Sequence, residues 1–181
     1  VGVDHRATPL ALREPLHLAG SRLEQVGNML GQLRGLHEFM LVATCNRIEL
    51  IGLAAATPAL DQAVRRILGF DSLGDPVYSL AGREAFRHLA LMVSGLLSQI
   101  PGETHICAQV KTALDHSAQA GWSAGVLRDW IGTALHIGKA IRQILPAPLT
   151  GSDIEDRCLA FLERQGGPLA GRPVLVIGSG A

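Results

Sequence analysis

At 181 residues the chain is long enough for one good core, or for one domain and part of another. Apolar residues at 48% against 18% charged describe a globular chain rather than a disordered one, and 16 basic against 16 acidic residues leave no net field to steer it toward nucleic acid. The three cysteines, Cys45, Cys107 and Cys158, form no Cys-x-x-Cys pair, which argues against a metal site or a secreted disulfide framework and for a reducing cytoplasm; no run of about 18 apolar residues could span a membrane.

In chain order, Val1-Gly2-Val3 reads as a short strand that leaves into the polar turn Asp4 to Pro9. Residues 10 to 19 carry no clear period. Ser21 is a plausible N-cap, assisted by Gln25, for an amphipathic helix through Leu23, Val26, Leu30 and Leu33 that ends near Gly35. Phe39-Met40-Leu41-Val42 and Ile48-Glu49-Leu50-Ile51 then read as two buried strands joined by Thr44-Cys45-Asn46-Arg47. A polar step holding a thiol at a sheet end is where chemistry is expected. Sulfur attacks acyl groups well, and the thioester that results accepts hydride more readily than an oxygen ester. Arg47 offers a permanently charged fork for a carboxylate. The competing reading of Cys45 is one more small buried residue, a common fate of free cysteine.

Thr57-Pro58 opens a second helix with the stripe Leu60, Val64, Ile67 and Leu68, and Val77 to Leu80 reads as another short strand. The β-α-β-β-α-β order implies a small α+β layer, a sheet on one side and two helices on the other. After Gly82 the chain turns helical, with Phe86, Leu89, Ala90 and Val93 on one face and His88 just off it, where a histidine more often packs than catalyses. Residues 94 to 105 read as a loop. Helices follow from about Ile106 to Ala120 and through Leu127, Trp130, Ile131, Leu135, Ile137 and Ile141. Ile144 to Pro148 breaks the pattern, and Ser152-Asp153 can cap a further helix across Cys158, Leu159 and Leu162. The basic pairs Arg65-Arg66 and Lys139 with Arg142 read as solvated helix faces rather than RNA contacts. Finally, Val174 to Ile177 runs into Gly178-Ser179-Gly180, as the first strand of a Rossmann-like dinucleotide-binding unit does; a complete domain rarely stops there, so a longer protein is expected. The organisation expected is residues 1–145 as a catalytic, substrate-binding domain, 146–170 as linker and helix, and 171–181 as the start of a truncated nucleotide domain.

With these segments in place the chain resembles the glutamyl-tRNA reductase family. The resemblance rests on Gly2-Val3-Asp4-His5-Arg6 with Pro9 and Leu12-Arg13-Glu14, on Thr44-Cys45-Asn46-Arg47 with Glu49, and on Arg87-His88-Leu89. It continues through Ser94-Gly95-Leu96, Ser98, Gly102-Glu103, Gln109-Val110-Lys111 and the Val174 to Gly180 strand and turn. It implies that Cys45 takes the glutamyl group from glutamyl-tRNA as a thioester, which NADPH reduces to glutamate-1-semialdehyde, the first step of tetrapyrrole synthesis from glutamate. It implies His88 as an acid/base or positioning group near the thiol, and a glutamate pocket lined by Thr44, Asn46, Arg47, Ser98, Glu103, Thr104, His105 and Gln109. Gly178, Ser179 and Gly180 would cradle NADPH, a C-terminal domain would make a homodimer, and the downstream glutamate-1-semialdehyde aminomutase would be a partner.

Where the family usually has aspartate, Glu-Pro-Gln and glycine, this chain has Leu97, Glu103-Thr104-His105 and Ala108; Pro101 replaces an aliphatic residue, and Arg142-Gln143-Ile144-Leu145 stands for Arg-Thr-Glu-Thr. Two other readings therefore stand beside the first: a non-catalytic relative that binds tRNA or a protein, and a reductase of another acyl substrate.

Overall fold

In the computed structural model, the residues described are 1–55, 57–146, 154–173 and 175. Three strands, β1 (Gly2–Asp4), β2 (Leu36–Ala43) and β3 (Arg47–Ala54), form an antiparallel sheet in the order β1-β3-β2. Around it lie α1 (Leu10–Arg13), α2 (Gly20–Gly31), α3 (Pro58–Leu68), α4 (Gly82–Val93), α5 (His105–Gln119), α6 (Gly125–Ile144) and α7 (Ile154–Gly166). The expected α+β class holds, with two differences. The Val77–Leu80 strand shrinks to one antiparallel bridge between Tyr78 and Gly2, because Pro76 removes a donor just before it and the chain turns away at once.

The second difference is a third layer. On one face of the sheet Phe39, Leu41, Ile48 and Leu50 pack with Val26 and Leu30 of α2 and Leu60, Val64 and Leu68 of α3. On the other, Met40 and Val42 pack with Leu89, Met92 and Val93 of α4, Val110 of α5 and Ile131 of α6. Adjacent residues of a strand point to opposite faces, so a strand covered on both sides needs a continuous apolar run. Phe39 to Val42 is such a run, and all four side chains are buried.

Helix boundaries follow local chemistry. Thr57 Oγ1 accepts the Leu60 N–H at the start of α3, with Pro58 in its first turn. The start of α2 departs from expectation: Ala19 holds the cap position with no side-chain bond, and Ser21 sits inside the first turn. Leu145 is extended before Pro146, ending α6. The proposed Ser152-Asp153 cap lies outside the described residues. The stripe expected on α7 is not buried: Leu159 and Leu162 are exposed, as is Cys158.

Candidate active site

The turn between β2 and β3 is fixed from three directions. Thr44 Oγ1 accepts the backbone N–H groups of Asn46 and Arg47 at 3.1 and 3.2 Å, and the Thr44 N–H donates to the Arg47 carbonyl at 2.8 Å. The His5 N–H, just after β1, donates to the Asn46 carbonyl at 2.9 Å. Buried Arg13 of α1 donates from Nη1 to the Cys45 carbonyl and from Nε to the Thr8 carbonyl, both at 2.9 Å. The backbone under Cys45 is thus immobilised while its side chain is exposed. Exposure disposes of the competing reading of Cys45 as a packing residue.

Behind the turn lies a buried ion pair. Arg47 Nη1 donates to Glu49 Oε1 at 2.8 Å and Arg47 Nη2 to the Leu97 carbonyl at 2.6 Å, while Glu49 Oε2 meets His88 Nε2 of α4 at 2.9 Å. Arg47 and Glu49 are 1% and 2% exposed, so each neutralises a charge that would otherwise be costly in the interior. Burial alone would raise the Glu49 carboxyl; the hydrogen bond and charge of His88, then the charge of Arg47, outweigh it and hold the group at about 2. Gly2 permits this packing: a Cβ there would stand 2.7 Å from Glu49 Cγ and 3.1 Å from the Tyr78 hydroxyl. The Tyr78 ring lies against His88, centroids 5.1 Å apart, and burial with the nearby Glu49 charge pushes its hydroxyl well above the ordinary range.

The loop after α4 completes the site. Gly95, at φ +81°, accepts the Ser98 and Gly102 N–H groups on its carbonyl, and a Cβ on it would sit 2.5 Å from the Glu103 carbonyl oxygen. Gly95→Ala should therefore open this loop and lower stability by about 2 kcal/mol, read as a fall in the thermal midpoint; an unchanged midpoint would contradict the tight packing.

Together these elements enclose a pocket of about 270 Å³. Thr44, Cys45, Asn46, Arg47, Ser98, Glu103, His105 and Gln109 all line it. Two sequence-selected residues do not: Thr104, at the start of α5, and His88, which meets Glu49 on the interior side. His88 thus reaches Arg47 through Glu49. His88→Ala, leaving Glu49 Oε2 without that partner, should lower the stability of the substrate-free protein by about 1–3 kcal/mol, measured by chemical denaturation; a group serving chemistry alone would leave stability unchanged.

Sequence reasoning assigned no role to Glu49, Arg13 or His5. The signal for Glu49 was present: residues two apart on a strand share a face, so Arg47 and Glu49 had to point the same way between buried Ile48 and Leu50. Leu97 departs from the family's usual aspartate, yet it serves Arg47 through its backbone carbonyl, which any side chain leaves in place. The basic patches have local partners: Arg65 pairs with Asp61, Arg66 with Asp71, and Arg142 donates to the Val93 carbonyl. Gly178, Ser179 and Gly180 lie outside the described residues. Among the described residues no cluster of His, Cys, Asp or Glu could hold a metal ion, and no helix is long and apolar enough to cross a membrane.

An exposed thiol on a pinned turn thus opens into a small pocket in which polar side chains stand beside Ile100, Ile106 and Ile154. The chain belongs to the glutamyl-tRNA reductase family: the family model described as "Glutamyl-tRNAGlu reductase, N-terminal domain" matches residues 1–144. It is 30% identical over 186 residues to glutamyl-tRNA reductase of Akkermansia muciniphila, covering 99% of this chain and 54% of that protein. To the glutamyl-tRNA reductase of Acidothermus cellulolyticus it is 32% identical over 190 residues, covering all of this chain and 40% of that one. The solved glutamyl-tRNA reductase from Methanopyrus kandleri matches with a TM-score of 0.66 and 26% identity, covering 92% of this chain and 39% of the other. The chain thus spans about half, or less, of the length of these relatives.

Proposed function

We propose that this chain is the thiol-bearing part of a glutamyl-tRNA reductase that reduces glutamyl-tRNA to glutamate-1-semialdehyde with NADPH. The observation that carries the reading is the convergence of Cys45 with Thr44, Asn46, Arg47, Ser98, Glu103, His105 and Gln109 on one pocket. The Cys45 sulfur attacks the ester carbonyl that joins glutamate to the tRNA, a C–S bond forms, the C–O bond breaks, and the thiol proton goes to the departing ribose oxygen. NADPH, when bound, supplies the hydride that converts the thioester to the aldehyde and releases the Cys45 sulfur. In the pocket, Arg47 is the cation facing the glutamate side chain, while Asn46, Ser98 and Gln109 offer polar atoms to the same carboxylate. Glu103, the one carboxylate among the described lining residues, faces the substrate ammonium. His105, in the family's usual glutamine position, retains both a donor and an acceptor. His88 acts as a positioning residue, through Glu49.

The division into a catalytic domain over 1–145, a connecting helix and a nucleotide domain beginning near 171 belongs to the same proposal, as do the C-terminal dimer, the aminomutase partner and a cytoplasmic setting. The test is a single-turnover reaction of the complete protein with radiolabelled glutamyl-tRNA, without and then with NADPH, acid-trapping the acylated protein and mapping the label. Label on Cys45 that NADPH chases into aldehyde is the expected result. Label that resists NADPH would mean a broken hydride step, whereas tRNA binding without label would replace the reductase by a non-catalytic relative. Equal labelling by other charged tRNAs would indicate another acyl substrate.

A further inference from the structure

The proposed acylation moves a proton from the Cys45 thiol to a ribose oxygen on the same carbon. Direct transfer would pass through a strained four-membered ring, so a neighbouring group that takes and returns the proton speeds the step. Of the described residues lining the pocket, Cys45, Arg47, Glu103 and His105 are the ones that titrate or carry charge. Arg47 is committed to Glu49 and the Leu97 carbonyl, and a guanidinium keeps its proton. His88 meets Glu49 on the interior side. Imidazole both takes and gives a proton near neutral pH, and His105 is the imidazole that shares the pocket with the thiol. Its backbone is fixed, because it opens α5 and both Ile106 and Val110, the next residue and one a turn later, are buried in the core. The first turn of α7 lies over the same pocket: Ile154 lines it, and Glu155 Oε1 stands 3.9 Å from His105 Nε2. A carboxylate at that place favours the imidazolium that exists while a proton is in transit.

We propose that His105 is a catalytic residue that carries this proton: its imidazole accepts the thiol proton as the C–S bond forms and returns it to the ribose oxygen as the C–O bond breaks. No proton is gained or lost overall, and no further reactant is needed. This rests on the reading of Cys45 as the nucleophile toward glutamyl-tRNA. A thiol gives its proton to imidazole far more readily than a hydroxyl does, so the arrangement suits sulfur. Glutamine, the family's usual residue here, hydrogen-bonds but cannot carry a proton, which makes this role a property of this chain. The charged and titratable groups around the imidazole are Cys45 and Arg47 from the turn, Glu103 from the loop before α5, and Glu155 with its sequence neighbour Asp156 from α7. One proton must be shared between thiol and imidazole. The rate therefore falls on the acid side, where both hold one, and on the alkaline side, where neither does.

The test follows acylation of Cys45 in single turnovers of the complete protein without NADPH, comparing the parent with His105→Gln, which keeps a donor and an acceptor and loses the titrating ring. Both are assayed at about pH 8, where an ordinary thiol is already partly ionised unaided. Acylation by glutamyl-tRNA should slow about 100-fold in the variant, the low end of what a positioned proton carrier contributes. Acylation by the α-glutamyl thioester of N-acetylcysteamine, whose thiolate leaves without a proton, should slow about threefold or less. That second donor also reports an intact pocket and thiol in the variant. From about pH 6 to about pH 9 the parent should give a bell-shaped profile with glutamyl-tRNA, and the variant a rate that rises throughout with the thiolate. Titration of the substrate ammonium is common to both proteins and cancels in their ratio. Equal slowing with the two donors, a bell that survives in the variant, or an unchanged rate with glutamyl-tRNA would each overturn the proton carrier. Absence of label on Cys45 from both donors in the parent would instead overturn the nucleophile reading beneath it.

Discussion

Cys45→Ser should abolish acid-stable labelling by glutamyl-tRNA and all NADPH-dependent aldehyde formation, while leaving thermal stability within about 0.5 kcal/mol of the parent. The stability half follows from exposure. The Cys45 side chain is exposed, and the bonds that fix the turn come from the Thr44 hydroxyl, the Arg13 guanidinium and backbone groups, none of which the substitution removes. The chemical half follows from the nucleophile. A serine hydroxyl at neutral pH is a far weaker nucleophile than a thiol unless a base takes its proton. Of the two histidines of this site, His88 meets Glu49 on the interior side and does not line the pocket, whereas His105 lines it. Serine would also yield an oxygen ester, which resists hydride. Parallel denaturation and labelling experiments decide the matter: label retained by the Cys45→Ser protein would remove Cys45 from the mechanism, and a large stability loss would contradict the pinned turn.

The contrast between Cys45 and His88 shows where the sequence was legible. Thr44 to Arg47 were readable because a polar step between two apolar runs has one physical solution, a turn at a sheet end, and every side chain of that step lines the pocket. Ser98, Glu103, His105 and Gln109 came from family likeness rather than pattern, since nothing in their spacing says that a loop closed on Gly95 carries them back to the same turn. His88 was placed on α4 correctly, but which partner its ring meets depends on how α4 crosses the sheet, a long-range fact that no local period contains. The third layer was missed for a related reason. The apolar run Phe39 to Val42 states that both faces are covered, and only the packing of α4, α5 and α6 shows with what.

The buried Arg47–Glu49–His88 chain carries the second large prediction. The Glu49 carboxyl is held at about 2, below its ordinary value of 4.5. A carboxyl depressed by folding contributes stability that is fully present above the unfolded value and is lost as pH falls through the folded one, because in that window the unfolded chain binds the extra proton. Stability should therefore fall as pH drops from about 4.5 toward 2, with Glu49 supplying on the order of 3 kcal/mol of the loss. Glu49→Gln keeps the size but not the charge, leaving Arg47 buried without its anion, and should cost about 3–5 kcal/mol at pH 7. The two predictions meet in one measurement. Asp4 and Asp61, also depressed, are present in both proteins, so the difference between parent and variant isolates Glu49. Denaturation followed from pH 7 down to about 3 should show that difference shrinking, since protonation makes the parent resemble the variant. Curves that stay parallel would mean that Glu49 is not held as an anion, and the positioning of Arg47 through it would fall.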